Sequence, residues 1–289
     1  MKIGFLVLAH QYPDQLKLLV KNLLKLENSR IYIHIDKKSD ELFRTIKNEF
    51  KDNSRVFFTD KRYKVYWGSY NQILATLSLI DTALKYSSED YYMLISGQDY
   101  LIKKSEELIK YLDENKGSQY LVHFKLPSNN WKEGGTNRLE FYNFDLFSGS
   151  WLGNKINGFI YKLQKSTGYK RKIKFDMYGG TNWFNLSLEA LTYVGNYVKE
   201  NPEYLKCYRY TRCADEMFIQ CILLNSQFKD SIVSDDLRYV DWITGPDFPK
   251  ILTVSDFDKL INVDSKFFAR KFDVNVDKQI LNKIDLFLE

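Results

Sequence analysis

The chain has 289 residues, 44% hydrophobic and 27% charged, ordinary proportions for a globular protein with a buried core. A net charge of +5 with no basic run interleaved with aromatics gives no support to nucleic-acid binding; it fits a phosphate pocket or loose contact with an anionic membrane surface. The three cysteines, Cys207, Cys213 and Cys221, cannot all pair within the chain and lack metal-ligand spacing, which suits a reducing compartment.

The apolar run Ile3 to Ala9 is too short for a signal peptide or a membrane span and reads as a first buried strand. Pro13 opens a helix with Leu16, Leu19, Val20 and Leu23 on one face. A second strand over 30–36 precedes a helix from Ser39 that carries Leu42, Phe43, Ile46 and Phe50. A third strand over 55–59, a long helix from Ser69, a fourth strand over 91–96, a helix over 105–112 and a fifth strand over 120–124 follow. This alternation predicts an α/β fold, a Rossmann-like, mostly parallel sheet with helices on both faces. Ligands then belong at the carboxyl ends of the strands. His10 follows the first strand, Asp36 with Lys37 and Lys38 the second, and Gln98 with Asp99 the fourth. Each alone is compatible with an ordinary surface loop; together they outline a pocket.

From Leu126 to about Phe175 the alternation fails. Pro127, Gly134-Gly135 and the aromatics Trp131, Tyr142, Phe144 and Trp151 suit an acceptor-binding loop or lid, or an irregular packing insert. Regular structure resumes with a strand over 181–186, a helix over 188–198, a helix at Glu216 and a strand near 237–242. Helices over 255–261 and 277–288 end the chain. With no repeat, low-complexity tract or linker, 1–289 reads as one domain.

Asp215 and Glu216 stand where the helix with Met217, Phe218, Cys221 and Ile222 begins. Asp215 suits the capping of free N–H groups, which leaves Glu216 without a capping task, although acidic residues open many ordinary helices. The chain has no phosphate-binding Gly-x-x-x-x-Gly-Lys loop, no Gly-x-Gly-x-x-Gly fingerprint and no Gly-x-Ser-x-Gly elbow. His10, His34 and His123 are too scattered for a zinc site, and His34 inside a strand reads as a satisfied core or loop histidine rather than a ligand. The Asp-x-Asp at Asp256 and Asp258 reads as a helix start after Thr253-Val254-Ser255. A departing diphosphate would then need side-chain cations, and Arg270-Lys271 and Lys250 supply them, although adjacent cations are often a solvated face.

These motifs stand in the order and spacing of a known family. The chain resembles the branching β-1,6-N-acetylglucosaminyltransferases of the core 2 and I types and the related protein O-xylosyltransferases, as a soluble member of bacterial type. The matching stretches are Leu6–His10, Ile31–Ser39, Val65–Ser69, Tyr92–Tyr100, Gly180–Phe184, Asp215-Glu216 and Phe268–Asp273. The resemblance implies a GT-A fold, with residues 1–125 as the nucleotide-sugar half and 126–289 as the acceptor-binding and catalytic half. It implies an inverting transfer from a UDP-sugar that needs no metal or other cofactor, with GlcNAc or xylose as donor sugars of the family. The family's catalytic base falls on Glu216, its diphosphate lysine on Lys271, a second basic ligand on Lys250 and its nucleoside aspartate on Asp36. His10, Asp99 and Arg270 complete the expected donor site. Trp242 falls on the acceptor-lining tryptophan, with Trp183 and Asp215 as further acceptor contacts. Two departures, Leu101 for the usual Pro and Thr244 for an aromatic, bear on the acceptor.

The expected partners are a UDP-sugar and a glycan or lipid-linked oligosaccharide acceptor in surface polysaccharide synthesis. The expected location is cytoplasmic, with peripheral contact at the inner membrane face. The competing readings are a non-catalytic glycan- or nucleotide-binding module and a metal-dependent transferase that uses Asp99.

Overall fold

A computed structural model describes residues 1–86, 88–144, 150–244 and 249–289. The first half follows the expected alternation: β1 (Ile3–Ala9), α1 (Pro13–Leu24), β2 (Ser29–Ile35), α2 (Asp40–Glu49), β3 (Val56–Phe58), α3 (Asn71–Lys85) and β4 (Tyr91–Ser96). A two-residue strand β5 (Tyr100–Leu101), α4 (Ser105–Glu114) and β6 (Gln119–Lys125) come next. The second half comprises α5 (Asn137–Glu140), α6 (Trp151–Thr167), β7 (Tyr178–Ser187), α7 (Leu188–Glu200), α8 (Pro202–Tyr208) and α9 (Asp215–Leu224). It ends with β8 (Ile232–Val233), β9 (Arg238–Val240), α10 (Phe257–Asn262), β10 (Phe268–Arg270) and α11 (Gln279–Leu288).

Seven strands form one sheet in the order β3-β2-β1-β4-β7-β6-β8, and β5-β10-β9 form a smaller one. In the large sheet β7 alone runs against its neighbours. β1 is buried on both faces, which is why it reads as a continuous apolar run. Its odd residues Phe5 and Val7 join Met93 and Ile95 under α1, α4, α11 and the small sheet. Its even residue Leu6 joins Tyr92 and Leu94 under α3, α7 and α9. The strand order reverses between β1 and β4, so the crevice at their carboxyl ends is the topological switch point at which such sheets bind ligands. The Gly97 amide donates to the Leu8 carbonyl there at 2.9 Å. Farther along, a Cβ on Gly180 would sit 1.8 Å from the Val122 carbonyl oxygen, so only glycine lets β7 pass β6 at its register shift.

The structure departs from expectation in several places, most of them in the second half. The stretch 126–175, expected to be irregular, contains the 17-residue helix α6; residues 145–149 of it lie outside the described residues. α8 and the short strands β5 and β10 were not legible as elements. Asp215 is the first helical residue of α9, after the N-cap Ala214, and no side chain caps that end. The Asp256 expectation stands: it lies in a 3₁₀ turn and closes a reciprocal cap with Thr253.

Candidate active site

The segment Phe268–Asp273 runs off the small sheet and across the switch point. Buried Gln15 on α1 donates to the carbonyls of Gly97 (3.0 Å) and Phe272 (3.1 Å). Gln98 donates to the same Phe272 carbonyl at 3.1 Å, and its own carbonyl accepts the Phe272 amide at 3.0 Å. Tyr12 Oη donates to Asp273 at 2.6 Å. These bonds fix the backbone on either side of Lys271 over the carboxyl ends of β1 and β4. Among the described residues Lys271 has no ion-pair partner. Burial lowers its pKa, with Arg270 adding to the shift and Asp273 opposing it.

His10 follows β1 and feels Lys271. The protein crowded around its ring lowers its pKa, Asp36 opposes this, and Lys271 and Lys38 add to it, although the residue keeps access to solvent. Asp36 is buried after β2 and organises the neighbouring loops. Its carboxylate accepts the amides of Lys38 (2.7 Å) and Val65 (3.2 Å) and lies 3.5 Å from Lys38 Nζ. Expected core residue His34 is buried, and its Nε2 accepts the Tyr63 amide at 3.1 Å.

Asp99 and Arg270 turn the other way. Expected at the rim, Asp99 has no exposed surface. Its carboxylate accepts the Ser96 amide at 2.7 Å and lies 3.4 Å from Arg238 Nε and 3.5 Å from Arg270 Nε. Both guanidinium groups stack on Trp183, 4.7 and 4.3 Å from its ring centre. An anion carrying two arginines inside the protein holds the small sheet to the large one; it is not a rim group for nucleotide or metal, and Arg270 is spent on it. The same packing engages the indole of Trp183, expected at the acceptor, with two arginines.

Lys250 reaches the same neighbourhood through the backbone: its carbonyl faces the Lys271 amide at 3.5 Å and its amide donates to Asp241 at 2.9 Å. Its ammonium group, however, pairs with Asp256 at 2.6 Å. Trp242, one residue after the Asp241 whose carbonyl accepts the Lys250 amide, is 63% exposed.

Glu216 comes from the opposite face of the large sheet. α9 lies along β7: Gln220 donates to the Thr181 carbonyl at 2.6 Å, and Asn225 exchanges bonds with the Asp176 backbone. Trp183, two residues beyond Thr181, carries Arg270. The elements that present Glu216 and Lys271 therefore meet on one short stretch of β7, from opposite sides, at the end of the sheet that contains the switch point. The Glu216 carboxylate is half-exposed and accepts a 2.6 Å bond from Arg138 Nη1 through Oε2, while Oε1 has no partner among the described residues. Arg138 is itself held on the face of Trp131, 3.6 Å from the ring centre. Asp215 beside it is pushed up to about 7, by burial first and by the Glu216 charge second.

Sequence reasoning missed Arg138. It sits on the one-turn helix α5, 78 residues from Glu216, and no local pattern marks it. Also unexpected is a cavity of about 650 Å³ on the far side of Arg138, with Tyr66, Trp67, Tyr142, Tyr161, Arg209 and Arg212 in its wall. Arg138 forms part of that wall and so links the cavity to Glu216.

The chain is similar to known proteins along its whole length. It is 28% identical over 312 residues to xylosyltransferase 2 of Rattus norvegicus and, to the same extent, to that of Homo sapiens; each alignment covers 99% of this chain and 34% of the relative. It is 24% identical over 272 residues to a xylosyltransferase of Ciona intestinalis, covering 88% of this chain and 30% of that one. The chain thus spans about a third of the length of these curated relatives. Among solved structures it is similar to S. aureus TarS 1-349, at 14% identity and a TM-score of 0.39, covering 98% of this chain and 70% of that one. The sheet order and its flanking helices are those of the mostly parallel α/β architecture expected from the sequence. The Core-2/I-Branching enzyme family matches residues 3–261, and the chain belongs to that family.

Proposed function

We propose that this chain is an inverting glycosyltransferase that moves a sugar, GlcNAc or xylose, from a UDP-sugar to a hydroxyl of a glycan acceptor in surface polysaccharide synthesis, without a metal. The observation that carries the reading is a division of labour at β7. An uncompensated lysine stands at the switch point on one side, and a carboxylate with one free oxygen stands on the other.

The donor lies over the carboxyl ends of β1 and β4, its nucleoside toward Asp36 and His10 and its diphosphate against Lys271, with Lys250 as the second cation. Glu216 Oε1 takes the proton of the acceptor hydroxyl as that oxygen bonds to the anomeric carbon. The bond from that carbon to the UDP oxygen breaks, the electron pair leaves on the diphosphate, and the anomeric centre inverts. Lys271 stabilises the charge that grows on the leaving oxygen, a task a bound cation performs in other sites. Arg138 keeps Glu216 pointed at the junction of cleft and cavity, and the cavity takes the rest of the acceptor. Commitment of Asp99 to two buried arginines favours this reading over metal binding through Asp99.

Positioned base catalysis contributes about 10²–10⁴-fold, so Glu216→Gln should cut turnover by that factor and leave UDP affinity unchanged. A Gln variant with near-normal turnover removes the proposed base. Activity that survives excess EDTA supports the side-chain cations; activity lost and restored by Mn²⁺ overturns that part. A panel of UDP-sugars, read by thermal stabilisation, identifies the donor. No UDP release with any donor and acceptor would leave a binding module.

A further inference from the structure

α6 is built inside out. A helix on a globular surface turns its apolar stripe inward. Here the inward side carries Gly153, Asn157 and Gln164. Asn157 accepts the Phe144 amide at 2.8 Å and donates to the Phe144 carbonyl at 2.7 Å. Gln164 does the same with Tyr142 at 2.8 and 3.0 Å. Two amides thus dock the helix on the backbone of Tyr142 and Phe144, Ile156 and Ile160 are half-buried, and four large apolar side chains are left outside. Trp151, Leu152, Phe159 and Leu163 are 70, 49, 68 and 51% exposed and, at helical spacing, fall on one outward face.

The same stretch is strongly basic. Between Ser150 and Phe175 there are seven Lys and Arg and no Asp or Glu. Lys165 and Lys170 are paired with glutamates, and Arg171 is held by backbone carbonyls. Lys155, Lys162, Lys172 and Lys174 are exposed and have no ion-pair partner among the described residues. Lys155 and Lys162 share the apolar face, and Lys155 Nζ lies 3.8 Å from the centre of the Trp151 ring.

We propose that this outward face of α6, with the basic segment that follows it, docks the protein on an anionic lipid bilayer. Apolar side chains ringed by lysines, with a tryptophan at one end, are what an in-plane interfacial helix presents to headgroups and the first acyl carbons. A second copy of the chain fits less well, since face-to-face packing would bring the lysines of both copies together. Among the described residues no helix is long and apolar enough to cross a membrane, so the contact lies on the surface. Inward-turned residues of α6, Gly153, Asn157 and Tyr161, line the cavity beside Arg138, so docking would set that cavity near the headgroups. The proposal stands apart from the transferase reading, because its test uses neither donor nor acceptor.

The test is co-sedimentation of the full chain with vesicles of phosphatidylcholine alone and with roughly a third phosphatidylglycerol. Binding is expected on the anionic vesicles only, weakened by salt. The triple variant Trp151→Ser, Phe159→Ser, Leu163→Ser and the pair Lys155→Glu, Lys162→Glu should each weaken binding at least about tenfold without a change in Tm. The exposed pair Lys51→Glu, Lys116→Glu, with the same charge change elsewhere, should bind better than the α6 pair. The blue shift of tryptophan emission on binding should vanish in Trp151→Phe. The proposal is overturned if wild type ignores anionic vesicles at low salt, if the α6 variants bind normally, or if the two charge pairs lose equally. It is also overturned if the apolar variant instead abolishes a lipid-free dimer. Should the triple variant misfold, the charge pairs and the emission shift still decide the question.

Discussion

Arg270 and Lys271 are neighbours in sequence and opposites in structure. The arginine is drawn inside, stacked on Trp183 and paired with Asp99, where a second arginine shares the same carboxylate. The lysine one residue later stands over the switch point with no counter-ion among the described residues. Arg270 closes β10 and Lys271 is the first residue beyond it, so a pair of cations that reads as one patch divides into a strut and a binding group. The chemistry of each residue fits its place. A guanidinium tolerates burial, stacks on an indole and holds a fixed carboxylate, whereas an ammonium is a compact charge suited to an incoming phosphate.

Breaking the buried side of this contrast should cost the most. Removal of one member of a buried ion pair leaves an uncompensated charge, typically about 3–5 kcal/mol. Asp99→Ala should therefore lower Tm by roughly 10 °C in a thermal melt. A shift within experimental error would mean that water or another group already balances the two arginines. On the open side, Lys271→Ala should leave Tm nearly unchanged and weaken UDP binding by about 10- to 100-fold, the worth of a charged hydrogen bond, read by calorimetric titration. Large loss of Tm with unchanged UDP affinity would make Lys271 a second strut.

What the sequence made legible follows the same division. Strands β1, β2 and β4 could be read within a residue because parallel strands buried on both faces are unbroken apolar runs, as Ile3–Ala9 and Tyr91–Ser96 are. The polar residues after them were therefore placed on the correct edge of the sheet. Their direction was not: Asp99 is one residue from Gln98, yet its side chain points into the interior because Arg238 lies there, 139 residues later in the chain, 238 minus 99. α6 was hidden for a different reason. The residues it buries fully are Gly153 and Gln164, so much of the apolar periodicity that announces a helix faces solvent and merges with the aromatics around it. Arg138 had no local signal, since its meaning lies only in its contact with Glu216.

Asp215 offers a smaller and pH-dependent effect. Its carboxyl is pushed up to about 7 from an ordinary 3.8 by burial and by the Glu216 charge. Between those two values the folded chain holds a proton there that the unfolded chain has released. Its contribution to stability is therefore full below the unfolded value and is lost as pH rises through about 7. His34, pushed down to about 4 by burial, acts oppositely, as its folded neutral form disfavours protonation when pH falls below its ordinary 6.5. A comparison of Asp215→Asn with wild type isolates the first effect. Wild type should lose about 1–2 kcal/mol relative to the variant between pH 4 and 7, allowing for the partial access of Asp215 to solvent, measured by urea unfolding. A pH-independent difference would show that Asp215 is ionised throughout.

Lys250 falls between strut and binding group, and its effect should be smallest. Its ammonium pairs with Asp256 at 2.6 Å, and Asp256 in turn accepts the Thr253 amide at 2.9 Å, so the pair helps to close the turn before α10. The Lys250 side chain is 31% exposed, and a pair with that access to water is worth about 0–1 kcal/mol. A diphosphate must compete with Asp256 for it. Lys250→Ala should then weaken UDP binding by only about two- to fivefold, while Asp256→Asn, which frees the lysine, should strengthen it. If Lys250→Ala instead costs as much as Lys271→Ala, the ion pair opens on donor binding, and Asp256 is a counter-ion that holds the lysine until the diphosphate replaces it.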